Sequence, residues 1–186
     1  SEKAGKYIDF LNANAYDKER DVRTNIAGEF QKSNLAAALQ TAELICGRLD
    51  EDKIYEALSQ IRISGRMEEI APGIIVDVSH NIQGMQGFVQ TVEANYHGMK
   101  KRILFAASHQ NEEEYMKNIL KTIPEIEAFY TVGIHKRRIN EAEFQDAFRK
   151  MIDRNQETTV CFVVGSFYLA GMAKEFINQE EENVRL

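Results

Sequence analysis

From residue 73 onward, short apolar runs alternate with stretches whose apolar residues recur at helical spacing. The runs are short and rich in β-branched residues, as in strands that are buried on both faces. They predict strands over 73–79, 102–108, 126–132 and 158–164, and helices over 82–97, 112–123, 141–153 and 167–178. Alternation of this kind indicates parallel strands joined by crossover helices. We therefore predict an α/β fold: a Rossmann-like, mostly parallel sheet with helices on both faces.

The chain before residue 65 has a different pattern. Residues 1–28 are polar and irregular, whereas 33–46 read as a helix that ends at Gly47, a plausible C-cap. A second helix is predicted to begin at the N-cap Asp50 and to end near Ser64 and Gly65. Because no strong strand pattern occurs here, we expect a domain boundary near Ser64.

Local signals support the predicted helix starts. Asn111 with Glu114 and Asn140 with Glu143 both have capping-box spacing. The charged residues 179–186 are expected to fray.

Composition narrows the function classes. A hydrophobic content of 44% provides for a sizeable core, and a net charge of −6 gives no basic footprint for nucleic acid or anionic membrane. We find no bilayer-spanning apolar run and no signal peptide, so the cytoplasm is expected. Cys46 and Cys161 are predicted to be free thiols, and neither has metal-ligand spacing.

Three polar residues follow the strand that begins after Gly73, namely Asp77, His80 and Asn81. The carboxyl edge of an open α/β sheet is where ligands bind, so these side chains are candidates for a ligand site. In the plainer interpretation, Asn81 caps the next helix and Asp77 only solvates a loop.

Two further residues are candidates for the same edge. Arg66 follows a glycine and precedes another predicted strand, so its guanidinium could bind phosphate, although a surface position is the simpler interpretation. Ser166 opens the last helix, as an N-cap or as a contact for a substrate carboxylate. The other histidines are expected to be solvated loop residues: His97, His109, which also falls at the sheet edge, and His135 in a basic run.

Several catalytic motifs are absent from the sequence. The only Gly-Lys pair is Gly5-Lys6, which Tyr7 follows, so there is no phosphate loop. Nucleophile-elbow, dinucleotide-binding and HExxH motifs are absent too. The residues alone therefore predict a small-ligand α/β domain and no specific reaction.

An ordered set of segments resembles the folylpolyglutamate synthase and dihydrofolate synthase branch of the Mur ligases. The segments are Gly28-Glu-Phe-Gln31 with Asn34, Gly65-Arg66-Met-Glu68, Asp77-Val-Ser-His80-Asn81 and Val164-Gly-Ser-Phe-Tyr-Leu169. The resemblance covers residues 26 to 178. It implies that residues 1–64 are the helical end of a central ATPase domain and 65–186 a Mur ligase C-terminal domain.

The resemblance also implies a reaction and residue roles. ATP phosphorylates a carboxylate of folate or dihydropteroate, and the amine of L-glutamate attacks the acyl phosphate. ATP-binding roles are implied for Asn34, Arg66 and Asp77, a catalytic and glutamate-binding role for His80, and a glutamate-binding role for Ser166. The magnesium ligands and the phosphate loop would lie in a missing N-terminal ATPase domain, so this chain alone is expected to be inactive.

The chain departs from the family pattern at two points. Ile82 stands where the family has proline, and Ser108-His-Gln-Asn111 where it often has acidic residues. The alternatives are a standalone nucleotide- or amino-acid-binding module without catalysis and a cell-wall precursor ligase, which the Asp-x-x-His-Asn pattern disfavours.

Overall fold

The computed structural model describes residues 29–61, 63–108, 110–135, 138–152 and 158–184. The chain forms two compact units, one ending at residue 62 and the other running from Ile63 onward. The predictions for residues 1–28 lie outside the described residues.

The first unit contains two described helices, α1 (Glu29–Cys46) and α2 (Glu51–Gln60). Gly47 has a φ of +82° and its amide bonds to Glu43 O at 2.9 Å, which confirms the predicted C-cap. The Asp50 cap is also confirmed, because its Oδ1 accepts the Lys53 amide at 3.3 Å. The prediction that α2 reaches Ser64 was wrong: at Ile61 the backbone is already extended.

The second unit is built on a sheet of five strands: β1 (Glu68–Ala71), β2 (Ile74–Asp77), β3 (Lys100–Phe105), β4 (Ile126–Thr131) and β7 (Thr159–Val164). Their order across the sheet is β1-β2-β7-β3-β4. Strand β1 runs antiparallel to β2, and the remaining neighbours are parallel. The mostly parallel α/β fold that the sequence predicted is therefore confirmed.

Helices cover both faces of this sheet. On one face lie α3 (Ile82–Asn95) and α4 (Glu113–Leu120), which pack with Ile75, Ile103 and Phe162. On the other lie α5 (Glu141–Ile152) and α6 (Phe167–Val184), which pack with Val76, Leu104 and Val163. Alternate residues of each strand thus enter opposite cores, because successive side chains of a strand point to opposite faces.

Several boundaries differ from the predictions. Helix α6 continues to Val184, so the predicted fraying from residue 179 was wrong. Asn140 accepts the Glu143 amide at 3.1 Å as predicted. Asn111 lies instead in a 3₁₀ turn (Gln110–Glu112), and α4 begins without a side-chain cap.

A small hairpin was missed by the sequence reading. Strands β5 (Ile134–His135) and β6 (Arg138–Ile139) pair antiparallel. Two-residue strands are too short to give a detectable alternation pattern, so this segment looked like a basic loop.

Both cysteines are thiols outside any disulfide, as predicted, with Cys46 exposed and Cys161 buried. In the described part of the chain, no helix is both long enough and apolar enough to cross a membrane.

Candidate functional site

Three turns lie together at the carboxyl ends of the parallel strands. They follow β2, β3 and β7, and the Ser108 hydroxyl donates to Gly165 O at 3.3 Å, which ties two of them together. Strand β7 lies between β2 and β3, yet its following helix α6 is on the opposite face from α3 and α4. This makes the ends of β2 and β7 a topological switch point, where open α/β sheets form a ligand crevice.

His80 lies at this switch point, and its ring is held from two sides. Its Nδ1 lies 2.9 Å from Val78 O, and its ring centroid is 5.5 Å from that of Phe167, with a tilt of 47°. Because a carbonyl oxygen only accepts, the contact requires the proton on Nδ1, and in that tautomer Nε2 is the nitrogen with the lone pair. That nitrogen has no hydrogen bond to the described residues. It is therefore available to a ligand.

Asp77 is buried, with 5% of its surface exposed, so the interpretation that it only solvates a loop was wrong. Its Oδ1 accepts the Ser79 amide at 2.8 Å, and its Oδ2 accepts the Met67 amide at 3.0 Å. The carboxylate thus links its own turn to the segment that precedes β1. Each oxygen keeps further acceptor capacity, and ATP contact by Asp77 stays a prediction.

Arg66 lies in a turn that packs against the end of β2. The Gly65 carbonyl accepts the Val78 amide at 2.8 Å, and a Cβ on Gly65 would come within 2.6 Å of Val78 Cγ1. Glycine is needed here both for this close approach and for its φ of +73°. Within the described ranges, the guanidinium of half-buried Arg66 has no hydrogen bond and no ion pair. A cation without a protein partner at a ligand-binding edge suits an anion.

Ser166 is fully buried. Its Oγ accepts the Tyr168 amide at 3.1 Å, so the hydroxyl satisfies one of the free amides at the start of α6. This confirms its interpretation as a helix cap. The implied contact with glutamate stays a prediction.

The other candidates are placed elsewhere. Asn34 is exposed on α1, in the first unit, and its Nδ2 donates to Gln31 Oε1 at 3.1 Å. His97 follows α3 and His135 lies in β5, and both are exposed. His109 lies outside the described residues.

Three residues near the site were missed by sequence reasoning. Phe167 packs against His80, while Glu68 and Lys174 form an ion pair at 2.5 Å beside the Arg66 turn. Glu68 ends one of the segments that resemble the family, but the resemblance assigned it no role. Lys174 is 106 positions away in the sequence, and no local pattern links it to Glu68. Among the described residues, no three His, Cys, Asp or Glu side chains come together in a group that could hold a metal ion.

Comparisons with known proteins agree with this fold. No protein-family model matches the chain. The dihydrofolate synthase/folylpolyglutamate synthase of Bacillus subtilis (strain 168) is 23% identical to it over 109 residues, which are 55% of this chain and 25% of that protein. The sequence resemblance stated above is thereby confirmed in a curated relative.

Solved structures give the same result for the fold. A complex of FPGS with AMPPCP and folate matches with a TM-score of 0.67 and 20% identity, over 83% of this chain and 38% of that one. E. coli FolC in complex with ADP matches with a TM-score of 0.69 and 18% identity, over 84% and 41%. The chain thus spans a quarter of the curated relative and about two fifths of each structure.

Proposed function

We propose that this chain is the C-terminal part of an ATP-dependent ligase that joins L-glutamate to folate, to dihydropteroate or to both. The fold and the curated relative support membership of this ligase family. The matching structures hold ADP or AMPPCP and, in one case, folate, which supports ATP and folate as substrates. In this proposal residues 1–64 are the end of a central ATPase domain and 65–186 the C-terminal domain. Binding of ATP with Mg²⁺ would require the preceding part of the ligase, and we place the reaction in the cytoplasm.

The observation that carries the proposal is the pair of unused polar groups at one switch point. Among the described residues, the Arg66 guanidinium has no partner, and neither does Nε2 of the fixed His80 ring. A fixed cation stabilises the charge that moves onto the phosphate oxygens during phosphoryl transfer. A fixed imidazole can take a proton from an attacking amine.

The proposed reaction has two steps. First, a carboxylate oxygen of the substrate attacks the γ-phosphorus of ATP, the bond to the bridging oxygen breaks, and ADP leaves. The amine of glutamate then attacks the acyl carbon, the C–O bond to phosphate breaks, and inorganic phosphate leaves as the amide forms. The amine loses a proton in this second step, and we assign its acceptance to His80 Nε2.

The remaining roles are part of the same proposal. Arg66 binds the phosphate groups, Asp77 supports that turn and offers acceptors to the nucleotide, and Asn34 has the ATP-binding role that the family resemblance implies. Ser166 and His80 bind glutamate, Ser166 through the hydroxyl proton that the cap of α6 does not use.

The test is turnover by the full-length protein that carries this chain. It should convert ATP, L-glutamate and folate or dihydropteroate into ADP, phosphate and the glutamylated product. We expect His80→Ala to lower kcat by about 100-fold or more and Arg66→Ala to raise the KM for ATP. Unchanged turnover in His80→Ala would contradict the catalytic assignment, and nucleotide binding without any turnover would favour the binding-module alternative.

A further inference from the structure

The turn that carries Arg66 has an unfavourable backbone conformation. Both Gly65, with a φ of +73°, and Met67, with a φ of +46°, lie in the left-handed region. For a residue with a side chain such as Met67, this conformation is strained, and it persists only where the surroundings enforce it. The groups that hold this turn therefore decide where Arg66 lies.

Glu68 and Lys174 are among the groups that hold this turn. Glu68 Oε2 accepts the Gly65 amide at 2.5 Å and the Lys174 ammonium at 2.5 Å. Lys174 Nζ also donates to Ser64 Oγ at 2.6 Å. Helix α6 is thereby tied to both ends of the short segment that contains Arg66.

The charges of this pair matter as well as its geometry. Burial opposes ionisation of Glu68, but the hydrogen bonds from Lys174, Gly65 and Ser64 outweigh it, and the pKa of Glu68 lies below its ordinary 4.5. Glu68 is therefore an anion only two positions from Arg66. The Glu68 carboxylate is bound to Lys174, and Arg66 has no ion pair in the described part of the chain.

We propose that Lys174 and Glu68 are positioning residues for Arg66: they fix the turn of residues 64–67, and Lys174 keeps the Glu68 carboxylate from pairing with the Arg66 guanidinium. The inference rests on the proposed function in one respect, namely that the guanidinium is kept free for the phosphate groups of a nucleotide. Without Lys174, Glu68 would compete with that anion for the same cation.

The first test needs no nucleotide. Phenylglyoxal modifies guanidinium groups, and a guanidinium that is paired with a carboxylate reacts more slowly. The rate at Arg66, followed by peptide mass spectrometry, should fall by about threefold in Lys174→Met, the scale of a partly exposed ion pair. Exposed Arg138 in β6 is the internal reference and should not change.

Two more variants separate charge from folding. The double variant Glu68→Gln with Lys174→Met removes both charges, so the rate of modification at Arg66 should return to that of the unsubstituted chain. Lys174→Arg keeps the positive charge, so its rate should equal that of the unsubstituted chain. Lys150→Met, which removes an exposed ion pair with Asp146 on α5, is the matched control. An unchanged Arg66 rate in Lys174→Met, or an equal fall in the double variant, would overturn the proposal.

A second readout connects the pair to the ligand. In the full-length protein that carries this chain, ATP affinity measured by calorimetry should fall in Lys174→Met by about threefold and recover in the double variant. If the unsubstituted full-length protein bound no ATP, the nucleotide role would fail, whereas the phenylglyoxal rates would still decide whether Lys174 keeps Arg66 free. If ATP affinity stayed constant while the rates changed, the nucleotide part of this inference would be wrong.

Discussion

Positively charged side chains are paired at one end of the sheet and not at the other. At the amino end of β3, Lys101 is fully buried and bonds to Glu125 at 2.8 Å. Its neighbour Arg102 bonds to Glu127 at 2.8 Å. At the carboxyl end of the sheet, Arg66 has no partner within the described ranges.

This contrast separates the charges that stabilise the fold from a charge that is open to a ligand. A buried charge is tolerated only when it is paired and hydrogen-bonded, and Arg102 also donates from Nη1 to Met151 O at 3.0 Å. The basic run at the start of β3 is therefore structural. Arg66 is half-buried and has no partner in the segments that the structure describes, so an anionic ligand could supply one.

The largest effect should come from the backbone beneath the carboxyl edge. Gly165 has a φ of +107°, and a Cβ there would lie 2.5 Å from Ala106 O and 2.6 Å from Phe105 Cε2. We expect Gly165→Ala to lower the free energy of unfolding by roughly 3 kcal/mol, through strain and overpacking together. Urea unfolding measures this.

Gly171 on α6 is the matched control, because a Cβ there meets nothing within 4 Å. Gly171→Ala should be neutral or slightly stabilising, since alanine is the better helix former. A small effect of Gly165→Ala would mean that the turns at this edge tolerate rearrangement.

The paired and unpaired arginines should differ in their effect on stability. Arg102→Ala removes a nearly buried guanidinium and leaves Met151 O with the weaker Cys161 thiol as donor, so we expect a loss of about 2 kcal/mol, moderated because Glu127 can rehydrate. Arg66→Ala should change the free energy of unfolding by less than about 0.5 kcal/mol. Equal losses in urea unfolding would remove the contrast between the two edges.

Acid should weaken the amino edge. Hydrogen bonds from Lys101 lower the pKa of Glu125, and those from Arg102 and Lys100 lower the pKa of Glu127, both from an ordinary 4.5. Because the unfolded chain binds these protons more readily, the stabilisation is present above pH 4.5 and is lost as pH falls through the folded-state pKa values. The urea midpoint should therefore drop on acidification, and less so in Glu127→Gln.

Much of the described secondary structure could be predicted from the sequence. The buried strands have continuous apolar runs, and Asn140 and Asp50 have local capping signals that need only their own helix. The extension of α6 to Val184 was missed because its last residues are charged, and charge alone does not end a helix.

The candidate site was predictable in position but less so in detail. Strand order places His80 and Ser166 at one edge, and the sequence reading found both. The role of Asp77 as acceptor for the Met67 amide depends on a contact between residues ten positions apart, and the Lys174 contacts are more distant still. Such contacts follow from tertiary packing and leave no local pattern.

Arg66 is tested most directly by calorimetric titration, with ATP, of the full-length protein that carries this chain. We expect Arg66→Ala to weaken binding by about tenfold or more, the scale of a charge-assisted hydrogen bond. The control is Lys121→Ala, which removes an exposed cation that follows α4 and has no ion pair in the described part of the chain. Equal affinity in Arg66→Ala and the unsubstituted protein, or an equal loss in Lys121→Ala, would contradict a phosphate site at Arg66.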